Sequence, residues 1–156
     1  MRHQSFAEMN CSIARTLEIV GEWWTLLILR DLFAGISHFD ALQEHLGIAR
    51  NILTVRLQTL IDHGVVERQR YQERPERFEY RLTEKGRDLR NVLLALTEWG
   101  DRWTAGEAGP PVVYIHTVCG HEAHPIPTCA HCGRPIGNDD LKAVPGPGST
   151  IVQTRS

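Results

Sequence analysis

The sequence predicts a mainly helical fold that carries one small β-hairpin. Three observations in residues 37–86 lead to this prediction. The segments SHFDALQEHLG and ARNILTVRLQTLIDHG each place apolar residues at spacings of three and four, and only a short turn separates them. Two alternating runs, VVERQRY and FEYRL, follow directly. Two closely joined helices and a hairpin are typical of a winged helix-turn-helix, a unit suited to reading a DNA duplex.

Two further helices are predicted before this unit. The first spans about residues 12–20, with apolar side chains on one side. The second spans about residues 21–33 and is apolar on almost every side, from Trp23 to Leu32. A helix that is apolar all round has to be buried all round. In so short a chain, this predicts that a second subunit covers part of it.

The second helix of the helix-turn-helix, residues 49–63, is the predicted recognition helix. Gly47 ends the helix before it and Gly64 ends the recognition helix itself. Because its leucines turn inward, the opposite face is expected to enter the major groove. The candidate DNA-binding residues are Asn51, Val55 and Gln58 on that face, with Arg50 and Thr54 flanking it near the helix start. Arginine and asparagine suit purine edges, whereas threonine and glutamine suit bases or phosphates.

The hairpin is predicted to be the wing, with Pro75 in its loop. Its four glutamates nearly balance its five arginines, so a solvated surface hairpin is the alternative interpretation. Its position directly after the recognition helix favours a wing that holds the DNA backbone or the minor groove. The wing residues expected to do so are Arg70, Arg74 and Arg77.

A last helix is predicted over about residues 84–104, with Thr83 as its N-cap. Its wide apolar stripe includes Leu96, Trp99 and Trp103. Such a stripe packs either within the chain or against a second copy. Paired helix-turn-helix units read two half-sites and gain affinity by linkage, so a homodimer on a pseudo-palindromic operator is predicted.

The charge distribution agrees with a double-stranded DNA partner. The net charge is -2, but residues 50–90 carry +3, while the residues before and after them carry -3 and -2. Positive charge therefore lies where the fold would place phosphates. The 156 residues have no run of eighteen apolar residues and do not begin like a signal peptide. A cytoplasmic protein without a membrane partner is expected.

A series of short motifs runs through residues 11–103 in a fixed order. They are CSIA from Cys11, GEWWTLLILRDL from Gly21, Phe39 with Leu42, RNILTVRL from Arg50, GVVER from Gly64, EYRLTEKG from Glu79, and Glu98-Trp99. In this order and spacing they resemble the HxlR-type winged-helix regulators, relatives of the MarR group. The resemblance implies a dimeric DNA-binding regulator. The chain departs from the family pattern at Ser12, where proline is frequent, and at Trp23, where a basic residue is frequent.

Cys11 stands at the start of the first predicted helix. By default, it is a small buried apolar residue. The resemblance implies an alternative, because some regulators of the family respond to oxidants or electrophiles through a cysteine near this position. A helix N-terminus would lower the pKa of such a thiol. The predicted signal is therefore redox, an electrophile or an unknown small molecule.

A Cys/His-rich extension follows a glycine- and proline-rich break. In it, VVYIHTV predicts a strand, and the motifs H-x-x-C-G and C-x-x-C-G lie nine residues apart. Two such pairs supply the four ligands of a closed tetrahedral zinc site. The predicted zinc ligands are His116, Cys119, Cys129 and Cys132, with His121, His124 and His131 as rivals. Free thiols or a disulfide are the alternatives.

Three domains are predicted: residues 1–105 as the winged helix with its dimerisation helices, residues 106–144 as a zinc-ribbon-like flap, and residues 145–156 as a flexible tail. No catalytic constellation occurs in the sequence, because a catalytic metal would need an acid-base group and only Glu122 adjoins the cluster. The predicted function is sequence-specific transcription regulation, not catalysis. The alternatives are a protein-interaction module and a metal-sensing regulator that uses the extension.

Overall fold

The computed structural model describes residues 5–6 and 8–149. These residues form six α-helices, one 3-10 helix and one two-stranded sheet. In chain order, the elements are α1 (Ser12–Val20), α2 (Trp23–Phe33), α3 (Phe39–Leu46), α4 (Arg50–Asp62), β1 (Val66–Gln72), β2 (Arg77–Leu82), α5 (Glu84–Asp88), α6 (Arg90–Thr104) and a 3-10 helix (Gly106–Ala108). The predicted mainly helical fold with a small antiparallel hairpin is confirmed.

The chain divides into two compact units, and the first of them ends at Arg90. This first unit holds α1 to α5 and the sheet. The second begins at Asn91 and holds α6, apart from its first residue, together with the extension. The division falls earlier than the boundary predicted at residue 105, so α6 belongs to the second unit. The functional boundary at residue 105 stays a prediction.

The core of the first unit is formed by the helix-turn-helix, α2 and the start of the wing. Its most deeply buried apolar side chains are Ile28, Leu29, Leu42, Leu53, Leu57, Leu60, Val65 and Val66. The inward face predicted for α4 is therefore confirmed. Gly47 ends α3 at a φ of 62° and Gly64 follows α4 at a φ of 65°. Glycine adopts this left-handed conformation without steric cost, so both predicted helix ends are confirmed.

A single copy of the chain covers only part of the second helix, and the predicted cover of the rest by a second subunit stays a prediction. α2 buries Ile28 and Leu29 completely, but Trp23 is 89% exposed and Leu27 is also exposed. The helix begins at Trp23, so this side chain lies in its first turn and outside the core. Composition showed that the helix is apolar, but only the packing shows which part of it the chain covers.

A buried carboxylate joins α2 to α3. The Asp31 side chain is 1% exposed, and its Oδ1 accepts a hydrogen bond of 2.9 Å from Arg30 Nε. Its Oδ2 lies 2.7 Å from Nδ1 of His45. A carboxylate is tolerated in such a site only when it is paired and hydrogen-bonded. These contacts therefore hold the first helix of the helix-turn-helix against α2.

The wing is a regular hairpin that is anchored to the segment before α3. Its register runs from Val66 opposite Leu82 to Gln72 opposite Arg77, with an irregularity between Arg70 and Gln72. The Tyr80 backbone N–H donates to the Ser37 carbonyl at 2.8 Å. A bridge between His38 and Glu79 adds a second connection. The predicted hairpin is confirmed, and β2 is tied directly to the helix-turn-helix.

The single helix predicted over residues 84–104 is two helices in the structure. The Leu89 N–H bonds to the Gly86 carbonyl three residues back, at 3.2 Å, and this tighter turn separates α5 from α6. Thr83 caps α5 as predicted, because its Oγ1 accepts from the Gly86 N–H at 3.1 Å. No residue of α6 is buried.

The extension contains turns but no strand among the residues that the structure describes. The strand predicted from VVYIHTV is not formed, and only single bridges pair Ile115 with Glu122 and Thr128 with Pro135. Each bridge closes a tight turn, which leaves no length of chain to pair as a strand. The predicted zinc-ribbon-like flap is not shown. Of the predicted tail, residues 150–156 lie outside the described residues.

Within the described part of the chain, no helix has the length and apolar character that crossing a membrane requires.

Candidate nucleic-acid interface

All five predicted residues of α4 are exposed. Asn51, Val55 and Gln58 lie on the side of the helix opposite the buried Leu53, Leu57 and Leu60. Arg50 and Thr54 flank that face near the helix start. This arrangement follows from the 3.6-residue period of the helix. The roles of these residues in DNA contact stay predictions.

Arg50 and Asn51 both lie in the first turn of α4, but among the described residues only the Arg50 side chain has an ion-pair or ring partner. The Arg50 guanidinium lies 4.6 Å from the ring centroid of Phe39, and its Nη1 is 3.5 Å from Asp40 Oδ1. Arg50 is thus oriented by α3. No hydrogen-bond partner for the Asn51 amide occurs among the described residues, so its donor and acceptor are available to a ligand. A free amide at a recognition-helix start suits the N6 and N7 edge of adenine.

The next turns of α4 carry Thr54, Val55 and Gln58. The Thr54 hydroxyl donates to the Arg50 carbonyl at 2.8 Å, so its proton is engaged within the helix. Gln58 Nε2 donates to Asp62 Oδ1 at 2.7 Å. Val55 is the apolar member of the face and is exposed. An apolar side chain at this place suits the methyl group of thymine.

The three predicted wing arginines differ in whether a carboxylate neutralises their charge. Arg70 Nη1 lies 3.4 Å from Glu76 Oε1, and Arg70 Nη2 lies 4.0 Å from Glu73 Oε1, so its charge is partly neutralised. Arg74 and Arg77 are exposed, and within the described part of the chain neither guanidinium has a carboxylate partner. Of the three predicted arginines, these two therefore keep a charge that no described carboxylate neutralises.

A cluster of hydrogen bonds, which the sequence did not reveal, joins the base of the wing to the end of α4. The Thr83 hydroxyl donates to the Gly64 carbonyl at 2.7 Å, and the Thr83 N–H donates to the Val65 carbonyl at 3.1 Å. Lys85 Nζ donates to the His63 carbonyl at 2.8 Å. These bonds set the wing relative to the recognition helix. The sequence signalled only the capping role of Thr83.

Tyr80 packs where the wing meets the helix-turn-helix. Its ring lies 6.5 Å from that of Phe39, and the residue is buried. Burial raises the pKa of the Tyr80 hydroxyl, and the neighbouring charges of Arg68 and Arg50 oppose that rise. The hydroxyl therefore stays neutral near physiological pH. Arg68 of the wing and Arg50 of α4 thus place two positive charges near Tyr80.

Cys11 is the N-cap residue of α1 and is half-buried. Its side chain makes no capping hydrogen bond, although its carbonyl accepts from the Arg15 N–H at 3.0 Å. The default prediction of a buried apolar residue is wrong, because Cys11 is only half-buried. The thiol stays partly accessible at a helix N-terminus, which is the type of place where reactive thiols occur.

The four predicted metal ligands lie in two separate pairs in the extension. His116 Nδ1 is 3.2 Å from Cys119 Sγ in the first pair. In the second, backbone N–H groups of Cys132 and His131, together with the Cys132 side chain, form hydrogen bonds that lower the pKa of the Cys129 thiol. All four cysteines are free thiols, so the disulfide alternative is not formed. Among the described residues, no three potential ligands converge on one metal position.

Comparison with known proteins places residues 19–108 in a family model described as an HxlR-like helix-turn-helix. The chain is 46% identical over 137 residues to the uncharacterized HTH-type transcriptional regulator Rv3095 of Mycobacterium tuberculosis, and the match covers 88% of this chain and 87% of the relative.

Two solved structures extend the comparison. The crystal structure of PA1607, named provisionally as a transcription factor, matches 90% of this chain and 99% of its own, with a TM-score of 0.81 and 33% identity. The redox regulator HypR in its oxidized form matches 59% of this chain and 96% of its own, with a TM-score of 0.55 and 31% identity. The similarity to PA1607 therefore reaches into the extension.

Proposed function

Because the chain belongs to the HxlR-like helix-turn-helix family of transcriptional regulators, we propose that it binds a pseudo-palindromic DNA operator as a homodimer. In each half-site α4 enters the major groove, and the wing lies on the flanking backbone or in the minor groove. The protein acts as a regulator and not as an enzyme. It works in the cytoplasm, where its DNA is accessible.

This proposal depends on one observation: within the described residues, the exposed face of α4 has an unpaired polar side chain, and the wing beside it has positive charges that no carboxylate neutralises. Asn51 offers an unpaired amide at the start of α4, while Arg74 and Arg77 offer charges without acidic partners in the wing. The hydrogen bonds of Thr83 fix the position of the wing relative to α4. Base-edge contacts give specificity and phosphate contacts give position, so the presence of both kinds of group supports operator recognition.

Two apolar surfaces support the homodimer. In the first unit, Ile13, Leu17 and Trp23 are exposed on α1 and α2. In the second unit, the α6 stripe exposes Val92, Leu96, Trp99 and Trp103. Monomeric proteins rarely expose large contiguous apolar patches. A second copy of the chain is therefore proposed to cover both surfaces.

We expect Asn51→Ala to weaken operator binding by about 1–3 kcal/mol per half-site and to relax the preference at one base pair, because a bidentate base contact is lost. The operator is first selected from a pool of random duplexes, and affinities are then measured by fluorescence anisotropy on the selected duplex and its single-base variants. Unchanged affinity and unchanged base preference would remove Asn51 from the interface.

Arg74→Ala is the matched comparison for that experiment. Loss of a phosphate contact should weaken all duplexes similarly, and the slope of log affinity against log salt should flatten by about two per dimer, one for each copy. A steep salt slope in the native protein supports the DNA-binding function itself. Binding that does not depend on salt would instead favour a winged helix that recognises another protein.

The proposed signal is an oxidant or electrophile that reacts with Cys11. The partly accessible thiol at the N-terminus of α1 supports this, and the similar protein HypR is a redox regulator. Treatment with a thiol oxidant should change operator affinity by about 5–150-fold in the native protein. The Cys11→Ser variant should not respond. An equal response in this variant would assign sensing to the cysteines of the extension.

A further inference from the structure

The extension contains two copies of one turn, in residues 114–123 and 127–136. In both copies an N–H bonds to the carbonyl four residues back, and two further bonds close the base of the turn. The bonds of the first copy are Gly120 N to His116 O (2.7 Å), His116 N to His121 O (2.8 Å) and Ala123 N to Tyr114 O (2.8 Å). Those of the second are Gly133 N to Cys129 O (2.8 Å), Cys129 N to Arg134 O (2.9 Å) and Ile136 N to Pro127 O (2.9 Å).

The ligand-type side chains occupy equivalent positions in the two turns. His116 and Cys119 are the third and sixth residues of one turn, and Cys129 and Cys132 are the third and sixth of the other. A glycine follows each pair at positive φ, 74° for Gly120 and 71° for Gly133. This conformation excludes most other residues. Sequence, backbone bonds and glycine conformation therefore repeat together.

The extension has no hydrophobic core of its own to maintain these turns. From Gly106 to Ser149 no residue is buried, and Val118 is 86% exposed. A polypeptide without buried apolar surface cannot offset the entropy lost on ordering. Small domains of this kind are usually stabilised by a disulfide or a metal. The cysteines here are free thiols, and deprotonated cysteine is a metal ligand.

We propose that the two turns close on one zinc ion, with His116, Cys119, Cys129 and Cys132 as its four ligands. Zinc is favoured because three thiolates and one imidazole in pairs separated by two residues match its tetrahedral structural sites. Four protein ligands leave no position for a reactive water, so the role is structural. Each pair lies within its own turn in the structure, and binding requires the turns to approach each other.

The rival histidines are less suited to this site. His124 lies near two carboxylates, with Nδ1 3.7 Å from Glu98 Oε2 and Nε2 3.6 Å from Glu122 Oε1. His121 follows the glycine of the first turn, and His131 is the fifth residue of the second turn. Neither occupies the third or sixth position, where the repeat places its ligand-type side chains.

The test is the metal content of the full-length chain, purified under reducing conditions without chelator. Elemental analysis should find about one zinc per chain. Replacement of zinc by Co²⁺ should produce the visible bands of tetrahedral cobalt and a thiolate-to-cobalt charge-transfer band. Absence of metal, or an octahedral cobalt spectrum, would overturn the proposal. Both readouts use the unmodified protein and do not depend on a variant that folds.

Variants then identify the ligands. Cys129→Ser combined with Cys132→Ser, and separately His116→Ala, should each lose the bound zinc. Cys11→Ser is the matched control, because it removes the only cysteine outside the turns, and it should keep about one zinc per chain. Zinc retained without both Cys129 and Cys132, or lost in His121→Ala or His131→Ala instead of His116→Ala, would contradict the ligand set. Operator binding by the same samples tests the DNA-binding function separately.

Discussion

The Leu96→Glu variant is expected to sediment as a monomer at micromolar concentration and to bind the operator about 10²–10⁴-fold more weakly than the native protein. Leu96 is 49% exposed in the single chain, although it lies in the middle of the α6 stripe. A charge placed there costs little in an isolated chain but is strongly unfavourable inside an apolar interface. The loss in affinity follows because each half-site would be bound independently.

The control for this experiment is Asn91→Glu, which adds the same charge to α6 on the side away from Leu96. It should remain dimeric. Sedimentation velocity and anisotropy titrations on the selected operator provide the two measurements. A native protein that is monomeric at micromolar concentration would refute the homodimer, whereas a dimeric Leu96→Glu variant would move the interface away from α6.

Gly86→Ala should destabilise the protein by about 3 kcal/mol, because the added methyl group overpacks a site that cannot yield. A Cβ atom at this position would lie 2.1 Å from the Val65 carbonyl oxygen. That oxygen belongs to the backbone and accepts from the Thr83 N–H, so it cannot move without breaking the junction between the wing and α4. The expected change is a lower denaturant midpoint with an unchanged slope.

Gly100→Ala is the matched control for the stability measurement. Gly100 also lies in a helix, but the nearest atom to an added Cβ is 3.8 Å away. The alanine should therefore be neutral or should stabilise the protein by about 0.5–1 kcal/mol, because glycine is a poor helix former. Equal stability of the Gly86→Ala variant and the native protein would show that α5 does not depend on this close contact with Val65.

The elements whose signals are local could be predicted from the sequence. The leucine spacing of α4 predicts its buried face, and Gly47 and Gly64 predict the ends of α3 and α4. The alternating runs predict the wing. In each case the signal depends on residues within one or two turns of each other, because helix period, strand period and glycine conformation are properties of short segments.

Contacts between residues distant in the sequence were determined only by the tertiary structure. Asp31 reads as an ordinary surface carboxylate, and only the packing of α2 against α3 buries it beside His45. From the sequence, Gly86 is only a residue that disfavours a helix. The structure shows that the Val65 carbonyl lies beside it and leaves no room for a side chain. The periodic stripe of residues 84–104 also concealed the break at Leu89, since one shorter hydrogen bond does not alter the apolar spacing.

The wing and the extension show the same difference between what local sequence predicts and what only the tertiary structure determines. The sequence supplied Arg70, Arg74 and Arg77 as equivalent candidates, but the hairpin register and its turn bring Glu76 to Arg70 and leave the other two free. In the extension, the spacing of cysteine and histidine predicted two ligand pairs. Local spacing determines which residues can form a pair or a turn, whereas burial and charge pairing depend on which distant segments the folded chain brings together.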